Sequence, residues 1–260
     1  MKTKFMYIIF SILISFTSVN ANKLDDIKKS GLLTVGIENE LAPFSYLNRS
    51  GKRIGFDIDI IEYIAKNLNV KIKYVILPSS ELINSVKNSS VDVSISAITH
   101  KKTKEQNIDF SLTYLFDGQS IIAKKSSKAE NYKSFDTKNV GAVLGNNDGK
   151  IFKVISPLSN IVYFNNLPEL KEALLNGVVD AATAEESVLY NMLIKNKNKF
   201  KMIGKKFTIK PYGIVLPENE SKLRDAINLS IQKLVKEKVY NKIYNKWFHK
   251  NPSKRPVLWL

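Results

Sequence analysis

The chain has 260 residues, with 40 Lys+Arg against 24 Asp+Glu, a formal net charge of +16 and no cysteine. Ordinary shares of apolar (44%) and charged (25%) residues exclude a disordered chain. The lack of cysteine excludes disulfide scaffolds, thiol catalysis and Cys-ligated zinc, and leaves no residue for a cysteine-linked lipid anchor.

The first element in chain order is an export signal. Lys2 and Lys4 precede an apolar run from Phe5 to Val19, which ends in Val19-Asn20-Ala21, a small-residue cleavage pattern. The run is short for a bilayer span of roughly 20 residues. A cleaved signal over residues 1–21 is expected, with the mature chain beginning near Asn22. Cleavage removes two lysines and no acid, which leaves +14. The charge by itself suggests nucleic acid. Export and the scatter of lysines over most polar faces argue against it.

Leu32-Leu33-Thr34-Val35-Gly36-Ile37 reads as a buried strand. Ile61, Ile64, Ala65 and Leu68 recur at helical spacing, with Asp57 or Asp59 placed to cap that helix. A strand is predicted over 71–77, a helix around Leu82, Ile83 and Val86, and a strand over 92–98. The same alternation restarts with strands over 140–144, 161–164 and 179–183. Helices over 148–155 and 167–175 separate these strands, and Val188, Leu189, Met192 and Leu193 mark another helical face. Two α/β units with mainly parallel sheets follow from this order, joined near Tyr114 to Lys124. Beyond Pro211-Tyr212-Gly213-Ile214, Leu223, Ala226, Ile227, Ile231 and Leu234 mark a long helix. Val239, Ile243 and Trp247 mark a last one.

Several segments, taken in order, resemble the periplasmic amino-acid-binding proteins of ABC importers. They are Gly31-Leu32-Leu33-Thr34-Val35-Gly36, Ala42-Pro43-Phe44-Ser45-Tyr46, Gly55-Phe56-Asp57-Ile58-Asp59-Ile60 and Val91-Asp92-Val93. Further along come Asp109-Phe110-Ser111 with Tyr114, Asn176-Gly177-Val178-Val179-Asp180-Ala181, Pro211-Tyr212-Gly213-Ile214 and Ile243-Tyr244-Asn245-Lys246-Trp247-Phe248. The resemblance implies a two-lobed periplasmic-binding-protein type II fold. Lobe 1 would span 23–116 and 217–260, lobe 2 would span 117–216, and two crossover strands would form the hinge. It also implies a monomer without cofactor, which captures a small polar solute, most simply an amino acid, in the periplasm and delivers it to an inner-membrane ABC permease.

The resemblance carries over to single positions. Where the family grips the ligand carboxylate with Arg and Thr or Ser, this chain has Lys104 and Thr99. The backbone donors at the start of a lobe 2 helix fall at Asn146 and Asn147, where unpaired N–H groups suit an anion. The family's ammonium-binding Asp is replaced by Glu185. Both signs of charge are kept, although Lys lacks the planar fork of Arg. Leu41 and Ser79 stand where other members place aromatic rings, Phe44 keeps its ring, and Glu38 stands where some members meet a cationic side chain. Asp57, Asp59, Asp109 and Asp180 are expected to cap and to form turns.

Two other functions share the fold. A cyclohexadienyl-dehydratase-like enzyme would use Glu185 or Glu186 as its acid. A ligand sensor would act as a diffusible partner of a receptor. The chain has no H-E-x-x-H, G-x-S-x-G or G-x-G-x-x-G motif and only two histidines, His100 and His249, so a binding protein is the expected class.

Overall fold

The computed structural model describes residues 22–145, 147–252 and 254–256. The expected export signal and Asn146 lie outside them.

The chain begins with α1 (Lys23–Ser30), capped by the Asn22 side chain and closed by Gly31 in the left-handed conformation. Next come β1 (Leu32–Ile37), the short hairpin β2 (Tyr46–Leu47) and β3 (Arg53–Ile54), α2 (Phe56–Leu68), β4 (Lys71–Ile76), α3 (Leu82–Lys87), β5 (Val93–Ser94) and β6 (Ile108–Phe110). The crossover strand β7 (Leu115–Asp117) leads to β8 (Gln119–Lys124), β9 (Asn139–Val143), α4 (Asp148–Ile155), β10 (Asn160–Phe164), α5 (Leu167–Asn176), β11 (Ala181–Glu185), α6 (Glu186–Lys195) and β12 (Phe200–Met202). A return crossover, β13 (Lys210–Tyr212), is followed by β14 (Val215–Pro217), α7 (Ser221–Lys236) and α8 (Val239–Phe248).

These strands form two five-stranded sheets of one design, in the orders β4-β1-β5-β14-β6 and β10-β9-β11-β8-β12. In each sheet the first three strands are parallel and the fourth runs against its neighbours. The reversed strand is the one that follows a crossover: β8 enters after β7, and β14 enters after β13. Each sheet therefore receives one strand at the point where the chain changes sheets. Val215 and Leu216 pair with Phe110 and Asp109, so the return into the first sheet comes before Pro217. The two crossovers pair antiparallel, with Leu115 opposite Tyr212 and Asp117 opposite Lys210.

Each sheet buries its own core. The first holds Leu33, Val35, Ile37, Phe56, Ile61, Ile64, Ile227 and Tyr240. The second holds Ile122, Leu170, Leu174, Ala182 and Leu189, with Phe152 and Val140 on its other face. Most of these are apolar positions of the predicted helices and strands, while Phe56, Ile122 and Tyr240 fall outside them, and their removal from water drives each unit to fold.

The aspartates do different work from the capping expected of them. Gly55 stands at the N-cap of α2, at φ 154°, and supplies no side-chain cap. A Cβ there would sit 1.8 Å from the Phe44 carbonyl oxygen, so the chain needs glycine at this approach. Asp57 is fully buried and accepts a hydrogen bond from the Ala97 N–H at 2.8 Å. Asp59 accepts from the Trp247 indole and the Lys246 ammonium, both at 2.7 Å, and so ties α8 to α2. Asp109 pairs with Arg224 at 3.0 Å, and Asp180 accepts from the Asn139 N–H at 3.0 Å. They join elements that are distant in sequence. The predicted strand over 92–98 shortens to two residues because the chain turns away at Ala97, whose φ is 48°.

Candidate ligand-binding cleft

Parallel α/β sheets leave unpaired backbone and loops at the carboxyl ends of their strands, where side chains from separate elements converge. Here two such edges line one cleft of about 850 Å³. Glu38 follows β1, Ser79 follows β4, and Ser96, Ala97, Ile98 and Thr99 follow β5. From the second sheet come Gly145, Asn147 and Asp148 after β9, Leu167 after β10, and Glu185 at the end of β11. Lys104 reaches the cleft from a short 3-10 turn. A smaller hollow of about 520 Å³, lined by Lys124, Lys128 and Lys138, lies at the opposite, amino ends of β9 and β11.

The cleft gathers Glu38, Leu41, Thr99, Lys104, Asn147 and Glu185 from the residues expected on sequence grounds. Phe44 does not join them. It is buried beneath the cleft, edge-on to the Tyr212 ring at 5.8 Å between centroids, and serves packing. Glu186 lies outside the lining as well, paired with Lys250 at 3.0 Å. His100 is engaged by Glu105 at 2.6 Å and stacks on Phe110.

The charges of the cleft are unevenly matched. Lys104 is half-buried, and burial, with Lys101 nearby, holds its ammonium below the usual lysine range. Among the described residues no carboxylate lies within ion-pair distance of it. Glu38, also half-buried, has its acid pushed up by burial, against a hydrogen bond from Ser79.

Glu185 is heavily engaged. Lys210 Nζ donates to Oε1 at 2.7 Å, and the Tyr212 hydroxyl donates to Oε2. Burial pulls the Lys210 ammonium down, but Glu185, Asp148 and Asp117 outweigh it and hold the group above the ordinary lysine value. Burial, Asp117 and Glu185 all push the Tyr212 phenol up, so it remains a neutral donor. Asp148 Oδ1 stands 3.9 Å from Lys210, with its side chain only 5% exposed. Behind this group Asp117 is buried, and burial and then Glu185 push it up to about 6.

Lys210 and the Asp148 side chain were not among the expected site residues. A signal for Lys210 existed: residues 210 and 212 of one strand point to the same face, so a strand carrying the Pro211-Tyr212-Gly213 motif presents Lys210 beside Tyr212. In a chain with 40 Lys+Arg, one more lysine did not stand out.

Two sheets of crossover design with a polar cleft between their carboxyl ends define a two-lobed binding protein. The chain belongs to the bacterial extracellular solute-binding proteins, family 3, which it matches over residues 33–250. It is 32% identical to the glutamine-binding protein of an ABC transporter of Bacillus subtilis, over 80% of this chain and 78% of that one. It is 33% identical to a glutamine-binding protein of Geobacillus stearothermophilus, over 76% and 77%. Among solved structures, an ancestral cationic amino acid solute-binding protein is similar with a TM-score of 0.80 at 29% identity, covering 86% of this chain and 99% of that one.

Proposed function

We propose that the protein captures a free amino acid in the cleft and presents it to the permease of an ABC transporter. One observation carries the reading: a half-buried ammonium without an acidic partner, Lys104, lines the same cleft as a carboxylate from the other lobe, Glu185. An amino acid has the complementary pair of charges. Its carboxylate would take the Lys104 ammonium and the Thr99 hydroxyl, assisted by backbone donors from Asn147 onward at the start of α4. Its ammonium would take the acceptor sites of Glu185 still open after Lys210 and Tyr212, since a carboxylate offers about four. Closure of the lobes about β7 and β13 would follow from contacts made only in the closed state.

We read the cleft as a binding site and not a catalytic one. An acid catalyst has to hold a proton to give, whereas each oxygen of Glu185 already accepts a hydrogen bond. The same reading places the mature protein, as a monomer, in the periplasm after removal of residues 1–21. The relatives bind amino acids of several side-chain kinds, among them the neutral amide of glutamine, the acid of glutamate, cystine and cationic groups, and so do not choose the side chain for this cleft.

The test is a thermal-shift screen of the mature protein over the amino acids, followed by calorimetry. At least one amino acid is expected to raise the melting temperature, by RT ln(1 + [L]/Kd) in free energy. Lack of stabilisation by every amino acid tested would overturn the reading.

A further inference from the structure

Besides the two crossovers, the end of the chain reaches from lobe 1 to lobe 2. Helix α8 packs into the first core through Tyr240, Ile243, Tyr244 and Phe248. Just beyond it, Lys250 extends to the first turns of α6 in lobe 2. Its Nζ stands 3.0 Å from a Glu186 carboxylate oxygen and 3.9 Å from the centre of the Tyr190 ring. Residues 186 and 190 are neighbours on one helix face, so a single ammonium meets an acid and an aromatic face together. The Lys250 side chain is 25% exposed and that of Glu186 16%, which shields the pair in part from water and salt. Further on, Lys254 lies 4.0 Å over the Phe116 ring of β7.

This strap runs on one particular side of the crossovers. Phe116 pairs with Pro211, and these two share a face of the crossover ribbon. Lys210 and Tyr212, which bond to Glu185 in the cleft, share the opposite face. Successive acids of lobe 2 thus serve the two sides: Glu185 lines the cleft, and Glu186 holds the strap. The strap is made while the cleft keeps about 850 Å³, near the top of the range of roughly 300–1,000 Å³ for small-molecule sites.

We propose that Lys250 is a latch between the lobes, which holds the unliganded protein open and parts when the cleft closes on a ligand. This rests on the reading of closure about β7 and β13. A rotation that narrows the gap on one side of the crossovers widens it on the other. A closing ligand therefore works against the Lys250 contacts, and the latch lowers the affinity by the same factor by which it favours the open form. A partly shielded ion pair with a cation–π contact is worth a factor of about three to ten in that equilibrium.

The chain has no cysteine, so two introduced ones can be labelled without competition. Ser80→Cys in lobe 1 and Val154→Cys in lobe 2 place nitroxides at exposed positions of elements that border the cleft. Double electron–electron resonance on the ligand-free mature protein then reads the spacing of the lobes. Calorimetry on the unlabelled protein, with L-glutamine and L-arginine, reads affinity. Lys250→Met is expected to increase the share of short spacings and to raise the association constant about three- to tenfold for whichever amino acid binds. Lys250→Arg keeps the charge and is expected to stay near wild type. Lys246→Met removes an α8 lysine whose partner, Asp59, belongs to the same lobe, and is expected to change neither measurement. If Lys250→Met does not fold, Glu186→Gln breaks the pair from the other side. Unchanged spacing together with unchanged affinity would overturn the proposal. So would longer spacings, weaker binding, or an equal effect in Lys246→Met. A wild-type protein that binds neither amino acid would count against the amino-acid reading alone, and the spacings would still decide on the latch.

Discussion

Asp57 provides a measurable test of how this fold places its charges. Its side chain is fully buried, and burial pushes its acid up to about 7 from the ordinary 3.8; the Ala97 N–H and the Tyr114 hydroxyl pull the other way, and Glu38 adds a small push up. An acid whose pKa is higher in the folded chain binds its proton more tightly there. Folding is therefore most favoured below about pH 4, loses stability as pH rises toward 7, and bears the full cost above that. A shift of about three units corresponds to about 4 kcal/mol, at 1.36 kcal/mol per unit, as an upper figure. Asp57→Asn removes the ionisation and keeps an oxygen for the Ala97 N–H. The variant is expected to be more stable than wild type at pH 8, by about 1–4 kcal/mol. At pH 4 the difference should fall to about 1 kcal/mol or less, the scale of one altered hydrogen bond. Urea unfolding of both proteins at the two pH values gives the comparison, and shifts shared by both proteins cancel. A variant that loses more stability at pH 8 than at pH 4 would refute the reasoning, because it would mean that the buried group is needed as an anion.

Lys104→Met is expected to abolish ligand-induced thermal stabilisation while leaving the unliganded melting temperature within a degree or so, as a lysine with no acidic partner among the described residues contributes little to folding. Glu185→Ala is expected to abolish the same stabilisation, and an unchanged melting shift would remove Glu185 from the site. Gly118 joins β7 to β8, and a Cβ there would lie 2.0 Å from the Thr208 carbonyl oxygen. Gly118→Ala should therefore push the crossovers apart and cost about 1–3 kcal/mol in urea unfolding. Asp59→Ala frees the Trp247 indole and the Lys246 ammonium and is expected to cost about 1–2 kcal/mol, with increased hydrogen exchange confined to α8.

The sequence was most legible where apolar periodicity decides the structure. Helices α4 and α7 and strands β1 and β10 fall within a residue or two of their predicted limits, because each buries one face against its own sheet. Legibility failed where a residue's role depends on a partner far along the chain. Asp57 looks like a helix cap because it stands in the first turn of α2, but its partner is Ala97, 40 residues away. Phe44 looks like a ligand-facing ring, and only the seating of Tyr212 beside it shows that it is core. The pair of Lys210 and Glu185 spans 25 residues and two structural units, and no local pattern records it. Family resemblance carried Glu185 and Lys104 to the cleft, but it could not indicate that Glu185 is already bonded, because Lys210 belongs to none of the motifs used.

The return crossover is where the proposed hinge and the candidate site meet. Pro211 accepts a hydrogen bond from the His100 N–H at 2.8 Å, Gly213 N–H donates to the Ile98 carbonyl at 3.1 Å, and Tyr212 bridges to Thr99. The loop that carries Thr99 is thus fastened to the segment from 211 to 213. The strand that leads into this segment, β13, reaches lobe 2 through Lys210 and Tyr212, both bonded to Glu185. The Thr99 loop of one lobe and the acid of the other are therefore held by one short strand, which is itself paired to the first crossover. A ligand that bonded to Glu185 would share its oxygens with Lys210 and Tyr212, so its contacts would bear directly on the return crossover proposed as the hinge. On the proposed reading, affinity and closure would be coupled through a single carboxylate, with no need for a long relay of contacts.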